Sequence, residues 1–207
     1  MHNNILSEGQ IRLLPLIKRF SGEFGLVGGT AIALHLGHRE SIDFDLFTFE
    51  AFNSSQIRNI VRKDNKIDNI LVNNSDELTI SVDGVKTTFY KYPFLVDFSE
   101  SLDSIIKLPG LLTLAAMKVY ALGQRAKWKD YVDLYFIFKK YSLKEVVEKA
   151  QEIFKTEFNE KLLREQLSYF KDLDYSEDIH YKEGFETKDE EIESFLTQVS
   201  LQQDSTL

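Results

Sequence analysis

The sequence contains no cysteine, which excludes disulfide bonds, zinc–thiolate sites and cysteine nucleophiles. It has no pattern of a secretory signal and no apolar run long enough to span a membrane, so we expect a cytoplasmic protein. Basic residues number 25 against 33 acidic ones. The resulting net charge of −8 argues against nucleic-acid binding over the whole surface, although a local basic patch remains compatible with it.

The chain is long enough to bury a substantial core. Its 207 residues are 43% hydrophobic and include 16 Phe and 9 Tyr, as is typical of soluble globular proteins. Strand-like alternation is confined to the first half, and after Pro109 and Gly110 the pattern becomes helical. We predict an α+β fold of two layers, with a mixed β-sheet and flanking helices in residues 1–108 and a helical region packed on that core in residues 109–207.

Capping patterns and hydrophobic periodicity place the individual elements. The predicted helices cover residues 8–21, with a kink or restart at Pro15, and residues 53–63, 142–154, 159–170 and 190–199. The predicted strands cover residues 67–72, 78–82, 85–90 and 94–98, with a hairpin turn at Asp83-Gly84. Residues 172–188 are acidic and aromatic and suit a surface loop.

Apolar and acidic residues alternate between positions 42 and 46. Because alternate residues of a strand point to the same face, Asp43 and Asp45 project together, and Ile42, Phe44 and Leu46 project to the other side. Two anions about 7 Å apart repel each other unless a cation lies near them, and Mg²⁺ is the simplest such partner. An edge strand with a solvated acidic face would show the same alternation.

A glycine pair precedes this acidic strand. A short apolar strand at residues 26–27 leads into Gly28 and Gly29, followed by a helix over residues 30–36 that ends at Gly37. A glycine turn at a helix N-terminus presents free amide groups and the positive end of the helix dipole to a phosphate. Taken alone, the glycine pair could equally be a tight turn.

The combination of GGT at residues 28–30 with DFD at residues 43–45 resembles the first motif of the nucleotidyltransferase superfamily. The surrounding residues 25–47 read GLVGGTAIALHLGHRESIDFDLF and are most similar to the AbiEii/AbiGii toxin group, which includes the MenT toxins. The resemblance implies a nucleotidyltransferase-like sheet and two Mg²⁺ ions held against the triphosphate of an NTP by Asp43 and Asp45. The resemblance also implies that Gly28, Gly29 and Thr30 contact the phosphates.

The superfamily places a third metal-binding acid on a neighbouring strand. Asp97 is the position that matches, with Glu100 as the alternative, and it could also accept the proton of the attacking hydroxyl. An aspartate that merely caps the turn after a strand would look the same. Arg39 could contact the triphosphate or lie on the surface, and His35 is expected to be structural.

A second group of charged residues lies in the helical half. One helical stripe contains Leu111, Leu114, Lys118, Leu122 and Arg125. Lys118 therefore occupies a position where an apolar residue is expected, and its ammonium group must either reach water or meet a buried anion.

Asp130 and Asp133 are three residues apart and share a helix face, although Asp130 could instead be an N-cap. The residues between Lys118 and Leu134 again resemble the AbiEii-like group. The resemblance implies that Lys118 is a catalytic phosphate ligand and that Asp130 belongs to the nucleotide pocket, and it leaves Asp133 less defined.

Lys118, Arg125, Lys127 and Lys129 form a basic cluster that includes Trp128. Such a cluster could hold the backbone and a stacked base of a single-stranded RNA end. A solvated loop between two helices would have the same composition.

The resemblance as a whole implies a Mg²⁺-dependent enzyme that transfers NMP from an NTP to an acceptor hydroxyl. It implies RNA, in particular a tRNA 3′ end, as the acceptor, a toxin-like role in a toxin-antitoxin or abortive-infection pair, and an antitoxin as a partner. Two alternatives remain open: a nucleotidyltransferase that modifies a small molecule such as an antibiotic, and a non-catalytic binding protein that retains the fold.

Overall fold

The computed structural model describes residues 1–124 and 127–202. The chain forms two compact units, Met1–Gly110 and Leu111–Leu207. Within the described ranges, the β-strands lie in the first unit and the second unit is helical. The α+β class predicted from the sequence is therefore confirmed.

A five-stranded mixed sheet forms the centre of the first unit. Its strands are β1 (Gly25–Val27), β2 (Phe44–Thr48), β3 (Ile67–Asn73), β4 (Glu77–Val82) and β5 (Val85–Lys91), in the spatial order β1-β2-β5-β4-β3. Strands β2 and β5 are parallel, and the other neighbours are antiparallel. The predicted strands at 67–72, 78–82 and 85–90 are confirmed, each to within one residue.

Three α-helices belong to the first unit: α1 (Glu8–Lys18), α2 (Gly28–Leu36) and α3 (Ser54–Val61). The predicted capping box begins α1, because the Gln10 N–H donates to the Ser7 hydroxyl and the Ser7 N–H donates to Gln10 Oε1. Helix α1 contains Pro15 and does not restart there, and it ends before the predicted residue 21. Asn53 caps α3 as predicted.

The predicted strand at residues 94–98 is wrong. The chain after β5 is irregular, because Pro93 lacks the N–H that a ladder hydrogen bond needs. Phe98 instead packs against the backbone of Gly25, where an added methyl group would lie 2.1 Å from a ring carbon. Two short strands follow, β6 (Glu100–Leu102) and β7 (Ile106–Leu108), and they form an antiparallel pair that the sequence did not predict.

The two faces of the five-stranded sheet differ in chemistry. One face is apolar: Phe44 and Leu46 of β2 and Phe89 of β5 are fully buried. The rings of Phe20 and Phe24 pack edge-on against Phe89, with centroid distances of 4.8 and 5.3 Å. The opposite face, here called the open face, carries the side chains of Asp43, Asp45, Phe47, Glu77, Thr79, Ser81, Lys86, Thr88 and Tyr90.

The second unit contains, within the described ranges, α4 (Leu111–Leu122), α5 (Trp128–Phe138), α6 (Leu143–Phe154), α7 (Glu160–Leu167) and α8 (Asp189–Ser200). The predicted capping box of Ser142 with Glu145 begins α6. Helix α5 is buried along almost its whole length. In the described part of the chain, no helix combines the length and the apolar character needed to cross a membrane.

Residues 172–188, here called the strap, were predicted as a surface loop. They lack regular helix or strand, but aromatic contacts anchor them to α5. Tyr175 stacks on Trp128 at 5.3 Å, and Phe185 meets Phe136 edge-on at 5.5 Å. The strap is thus held by packing on α5.

Candidate functional site

The acidic pair lies on the open face of the sheet. Burial alternates along β2, with Phe44 and Leu46 inaccessible and Asp45 partly accessible, and Asp43 lies just before the strand on the same side as Asp45. The predicted projection of the two carboxylates to one face is therefore confirmed by the burial pattern. Ile42 departs from the prediction: it is 61% exposed, because the chain enters regular strand only at Phe44.

Asp45 lies against the point where β1 gives way to α2. Val27, the last residue of β1, pairs with Asp45 of β2, and Gly28 follows directly. Gly28 has φ of 72°, and a methyl group added to it would lie 2.1 Å from Asp45 Oδ2. A residue with a side chain at this position would meet both an unfavourable backbone conformation and the carboxylate.

A second close approach at this turn lies between Gly29 and Arg39. A methyl group on Gly29 would lie 2.9 Å from Arg39 Nη2. The Arg39 side chain is only 4% exposed, and its Nη1 donates to the Glu40 carbonyl at 2.9 Å. The surface role considered for Arg39 is thus wrong, because its guanidinium group is buried beside the glycine pair.

Two side chains hold the backbone of Asp43 in place. The Thr30 hydroxyl donates to the Asp43 carbonyl at 2.5 Å and lies 2.9 Å from the Ser41 hydroxyl. Gln10 Nε2 donates to the same carbonyl at 3.2 Å. Thr30 and Gln10 are both buried, so the hydroxyl predicted to contact phosphate positions the acidic strand here. The sequence identified Gln10 only as part of the capping box.

The neighbouring parallel strand β5 supplies polar groups that the sequence did not single out. In the register of β2 and β5, Asp45 pairs with Thr88, and Phe44 pairs with Thr87. Lys86 therefore lies beside Asp43, and its Nζ is 3.6 Å from Asp43 Oδ2. Strand β5 contains no acid at all. Only knowledge of the parallel pairing could have identified Lys86.

The structure places the two candidates for the third acid outside the five-stranded sheet. Asp97 is exposed in the irregular segment after β5, and Glu100 is exposed at the first position of β6. Within residues 1–124 and 127–202, no three His, Asp or Glu side chains group closely enough to hold a metal ion. The metal-binding role of Asp97 remains a prediction without a strand to support it.

In the second unit, the ammonium group of Lys118 meets a buried anion, which is one of the two alternatives predicted for it. Its Nζ donates to Asp130 Oδ1 at 2.6 Å and lies 3.0 Å from Asp133 Oδ2. Both aspartates are fully buried, and Lys118 is 5% exposed. Asp130 is not the N-cap of α5, which is Lys127. We call Lys118, Asp130 and Asp133 the buried triad.

The surroundings of the buried triad are poorly solvated. Burial raises the pKa of Tyr131 to about 12, and the nearby Asp130 carboxylate adds to the shift, so the phenol stays protonated. Buried charges of this kind are stable only when paired and hydrogen-bonded. The triad therefore has a structural role whatever else it does.

The predicted basic cluster is mostly engaged within the protein. Lys127 Nζ lies 2.5 Å from Glu177 Oε1 of the strap, and Lys129 pairs with the same carboxylate. Burial alone would raise the pKa of Glu177, but the two ammonium groups outweigh it and lower the pKa to about 2. Trp128 is 4% exposed, so the alternative in which its ring stacks on a base is wrong. Arg125 lies outside the described residues.

His35 is structural, as predicted. Its Nε2 lies 2.9 Å from the Pro109 carbonyl oxygen, a hydrogen bond within the first unit. This hydrogen bond connects α2 to Pro109, the residue that directly follows β7.

Gly28→Ala should destabilise the first unit more than Gly84→Ala does. Both glycines have positive φ, 72° and 82°, but only Gly28 has Asp45 against it, whereas an added methyl on Gly84 meets nothing within 4 Å. We expect a loss of about 1–2 kcal/mol in the free energy of unfolding for Gly84→Ala, and about 1–3 kcal/mol more for Gly28→Ala. Chemical denaturation measures both, and equal losses would contradict the packing of Asp45 on Gly28.

Lys118→Ala should lower the free energy of unfolding by about 3–5 kcal/mol, because it removes an ammonium group that pairs with two buried carboxylates. Lys149→Ala is the matched control: Lys149 also lies in the second unit and pairs with Glu152 at 2.9 Å, but at the surface. Exposed pairs contribute about 0–1 kcal/mol. Comparable losses for the two variants, again by denaturation, would contradict the structural role of the triad.

Comparison with known proteins agrees with this geometry. The family described as nucleotidyl transferase AbiEii toxin, Type IV TA system, matches residues 17–204. An uncharacterized protein of Aquifex aeolicus (strain VF5) is 34% identical over 180 residues, covering 84% of this chain and 84% of that protein. The crystal structure of a candidate nucleotidyltransferase from H. pylori shares the fold, with a TM-score of 0.57 at 15% identity over 96% of this chain and 91% of that one. The chain therefore belongs to the AbiEii nucleotidyl transferase toxin family.

Proposed function

We propose that this protein is a Mg²⁺-dependent nucleotidyltransferase that transfers NMP from an NTP to a hydroxyl of RNA, with a tRNA 3′ end as the favoured acceptor. One observation carries the proposal. Asp43 and Asp45 project from one face of the sheet, and Asp45 packs against Gly28 at the first residue of α2. Acidic ligands for a metal and the start of a helix thus lie side by side, as a metal–triphosphate substrate requires.

The donor set fits Mg²⁺. This ion prefers oxygen ligands and is commonly bound by one or two carboxylates together with phosphate oxygens of the substrate. Asp43 and Asp45 supply two carboxylates, and the described part of the chain adds no third acid to them. When bound, Mg²⁺ would neutralise charge on the α-phosphate and on the leaving pyrophosphate.

The residues of the first unit would bind and orient the nucleotide. The N-cap of α2, Val27, makes no side-chain cap, and the first amides of α2, those of Gly28 and Gly29, are the candidate contacts to phosphate. Arg39 lies against Gly29, and Lys86 lies beside Asp43, so one cation borders the glycine pair and one borders the acidic pair. Thr30 and Gln10 would act through the backbone of Asp43 by keeping the strand in position.

The transfer itself is an in-line displacement. The acceptor hydroxyl oxygen forms a bond to the α-phosphorus, the bond to the bridging oxygen breaks, and pyrophosphate leaves with the electron pair. The hydroxyl proton passes to a carboxylate, for which Asp97 is the predicted candidate. Positioning and charge stabilisation would supply most of the rate enhancement.

Lys118 and Asp130 contribute to this proposal by the family resemblance. Lys118 would bind phosphate and Asp130 would belong to the nucleotide pocket. Because both side chains are also part of the buried triad, any loss of activity on their substitution must be compared with the loss of folded protein.

The toxin-like role rests on the family. Membership of a toxin-antitoxin family supports a nucleotide substrate and a cognate antitoxin as a partner. RNA as the acceptor is our proposal, and modification of a small hydroxylated molecule is the alternative that the same assay distinguishes.

Asp43→Asn should reduce transfer by about 10²- to 10³-fold, because it removes one of the two charged ligands that would hold the metal ion, and the metal would stabilise the charge of the transition state. The assay follows label from each of the four NTPs, labelled at the α-phosphate, into total RNA in the presence of Mg²⁺. Asp64→Asn is the control, since Asp64 is an exposed acid of the first unit that pairs with Arg19. We expect this variant to match the wild type.

Two results would overturn the proposal: no transfer by the wild type, or equal transfer by Asp43→Asn. Label on a small hydroxylated compound but never on RNA would select the alternative acceptor. Asp97→Asn in the same assay decides the role of that residue, because a loss comparable to that of Asp43→Asn assigns Asp97 to the site and unchanged transfer removes it.

A further inference from the structure

The open face of the sheet continues beyond the acidic pair into aromatic residues. Along β2, Asp43 and Asp45 are followed on the same face by Phe47, and along the parallel β5, Lys86 and Thr88 are followed by Tyr90. The register pairs Phe47 with Tyr90. The two strands thus form three successive rows: a charged row, a row with Asp45 and Thr88, and a row of two rings.

The two rings are in direct contact and partly accessible. The centroids of Phe47 and Tyr90 are 5.1 Å apart in an edge-on arrangement. Both side chains are half-buried, so each keeps exposed surface, unlike the fully buried aromatic residues of the opposite face. Tyr92 supports them, with its ring 5.0 Å from Phe47 and 6.2 Å from Tyr90.

We propose that Phe47 and Tyr90 form a stacking site for a nucleobase, next to the metal and phosphate site at Asp43 and Asp45. This inference rests on the proposed function and names the part of the substrate that this row binds. Successive rows on one face of a strand are about 7 Å apart. A single ribose joins phosphate to base in a nucleotide, and it can bridge adjacent rows of this spacing.

The chemistry of the row favours a base over other occupants. Aromatic side chains stack on any base, because every base has a π-face. The row is aromatic, whereas the other two rows carry carboxylate, ammonium and threonine hydroxyl groups, a change of chemistry that matches a nucleotide from base to phosphate. The base can come from the NTP or from the end of the acceptor, and the experiment separates these two sources.

The test uses the full chain and isothermal titration calorimetry with each Mg²⁺-NTP and with Mg²⁺-tripolyphosphate, which has the phosphates without a base. Phe47→Leu and Tyr90→Leu remove one ring each, and Tyr90→Phe keeps the ring. Phe52→Leu is the matched control, since Phe52 is a half-buried phenylalanine whose ring lies 5.6 Å from Phe24 and away from the open face. Thermal unfolding checks that each variant folds, and Phe47→Met replaces Phe47→Leu if the latter does not.

If the base is that of the NTP, loss of either ring should weaken NTP binding by about tenfold and leave tripolyphosphate binding unchanged. If the base is that of the acceptor, NTP binding should be unchanged, and the RNA concentration for half-maximal label transfer should rise by about tenfold. Phe52→Leu should match the wild type in both measurements, and Tyr90→Phe, which keeps the ring, should retain most of the affinity that Tyr90→Leu loses.

Unchanged NTP binding together with unchanged RNA dependence in folded Phe47→Leu and Tyr90→Leu would overturn the stacking site alone. An equal effect of Phe52→Leu, or a parallel loss of tripolyphosphate binding, would overturn it as well, because the substitutions would then act through the fold or the phosphate site. Absence of any NTP binding by the wild type would contradict the proposed function, and the stacking site with it.

Discussion

The pairing register of β1 with β2 is the constraint on which the candidate site depends. Because Val27 pairs with Asp45, the acid lies beside Gly28, the residue at which strand becomes helix. A shift of the register by one residue would turn Asp45 toward the apolar face, since side chains alternate along a strand. Hydrogen bonds from Thr30 and Gln10 to the Asp43 carbonyl fix the start of the same strand. The acidic pair and the helix start are therefore held by one set of backbone contacts.

The acidic side chains of the two units differ in their exposure to solvent. In the first unit, Asp43 stays partly accessible beside Lys86, so a metal and a phosphate can still reach it. In the second unit, Asp130 and Asp133 are fully buried around Lys118. A lysine on the apolar stripe of α4 thus has a sufficient structural explanation, independent of nucleotide binding. The family resemblance implies that Lys118 and Asp130 bind the nucleotide, whereas their buried ion pair gives both residues a role in stability.

Much of the fold followed from local signals. Capping boxes, the Asp83-Gly84 turn and period-two alternation gave most helices and strands, and alternation placed both carboxylates on one face. Non-local features could not be predicted this way. The sequence did not show that β5 pairs in parallel with β2, and so Lys86 was missed. The alternation of apolar and polar residues also predicted a strand at residues 94–98. The apolar Phe98 instead packs on Gly25 and does not belong to the sheet.

The central claim is that Asp43 and Asp45 bind a metal-bound nucleotide at the start of α2. The most direct measurement is a calorimetric titration of wild type and Asp45→Asn with a non-hydrolysable NTP analogue, once with Mg²⁺ and once with EDTA. The account predicts that the wild type binds the analogue with Mg²⁺, that EDTA abolishes binding, and that Asp45→Asn weakens it by at least about tenfold, as expected for loss of a charged ligand. Equal affinity with and without the metal, or equal affinity in Asp45→Asn, would contradict it.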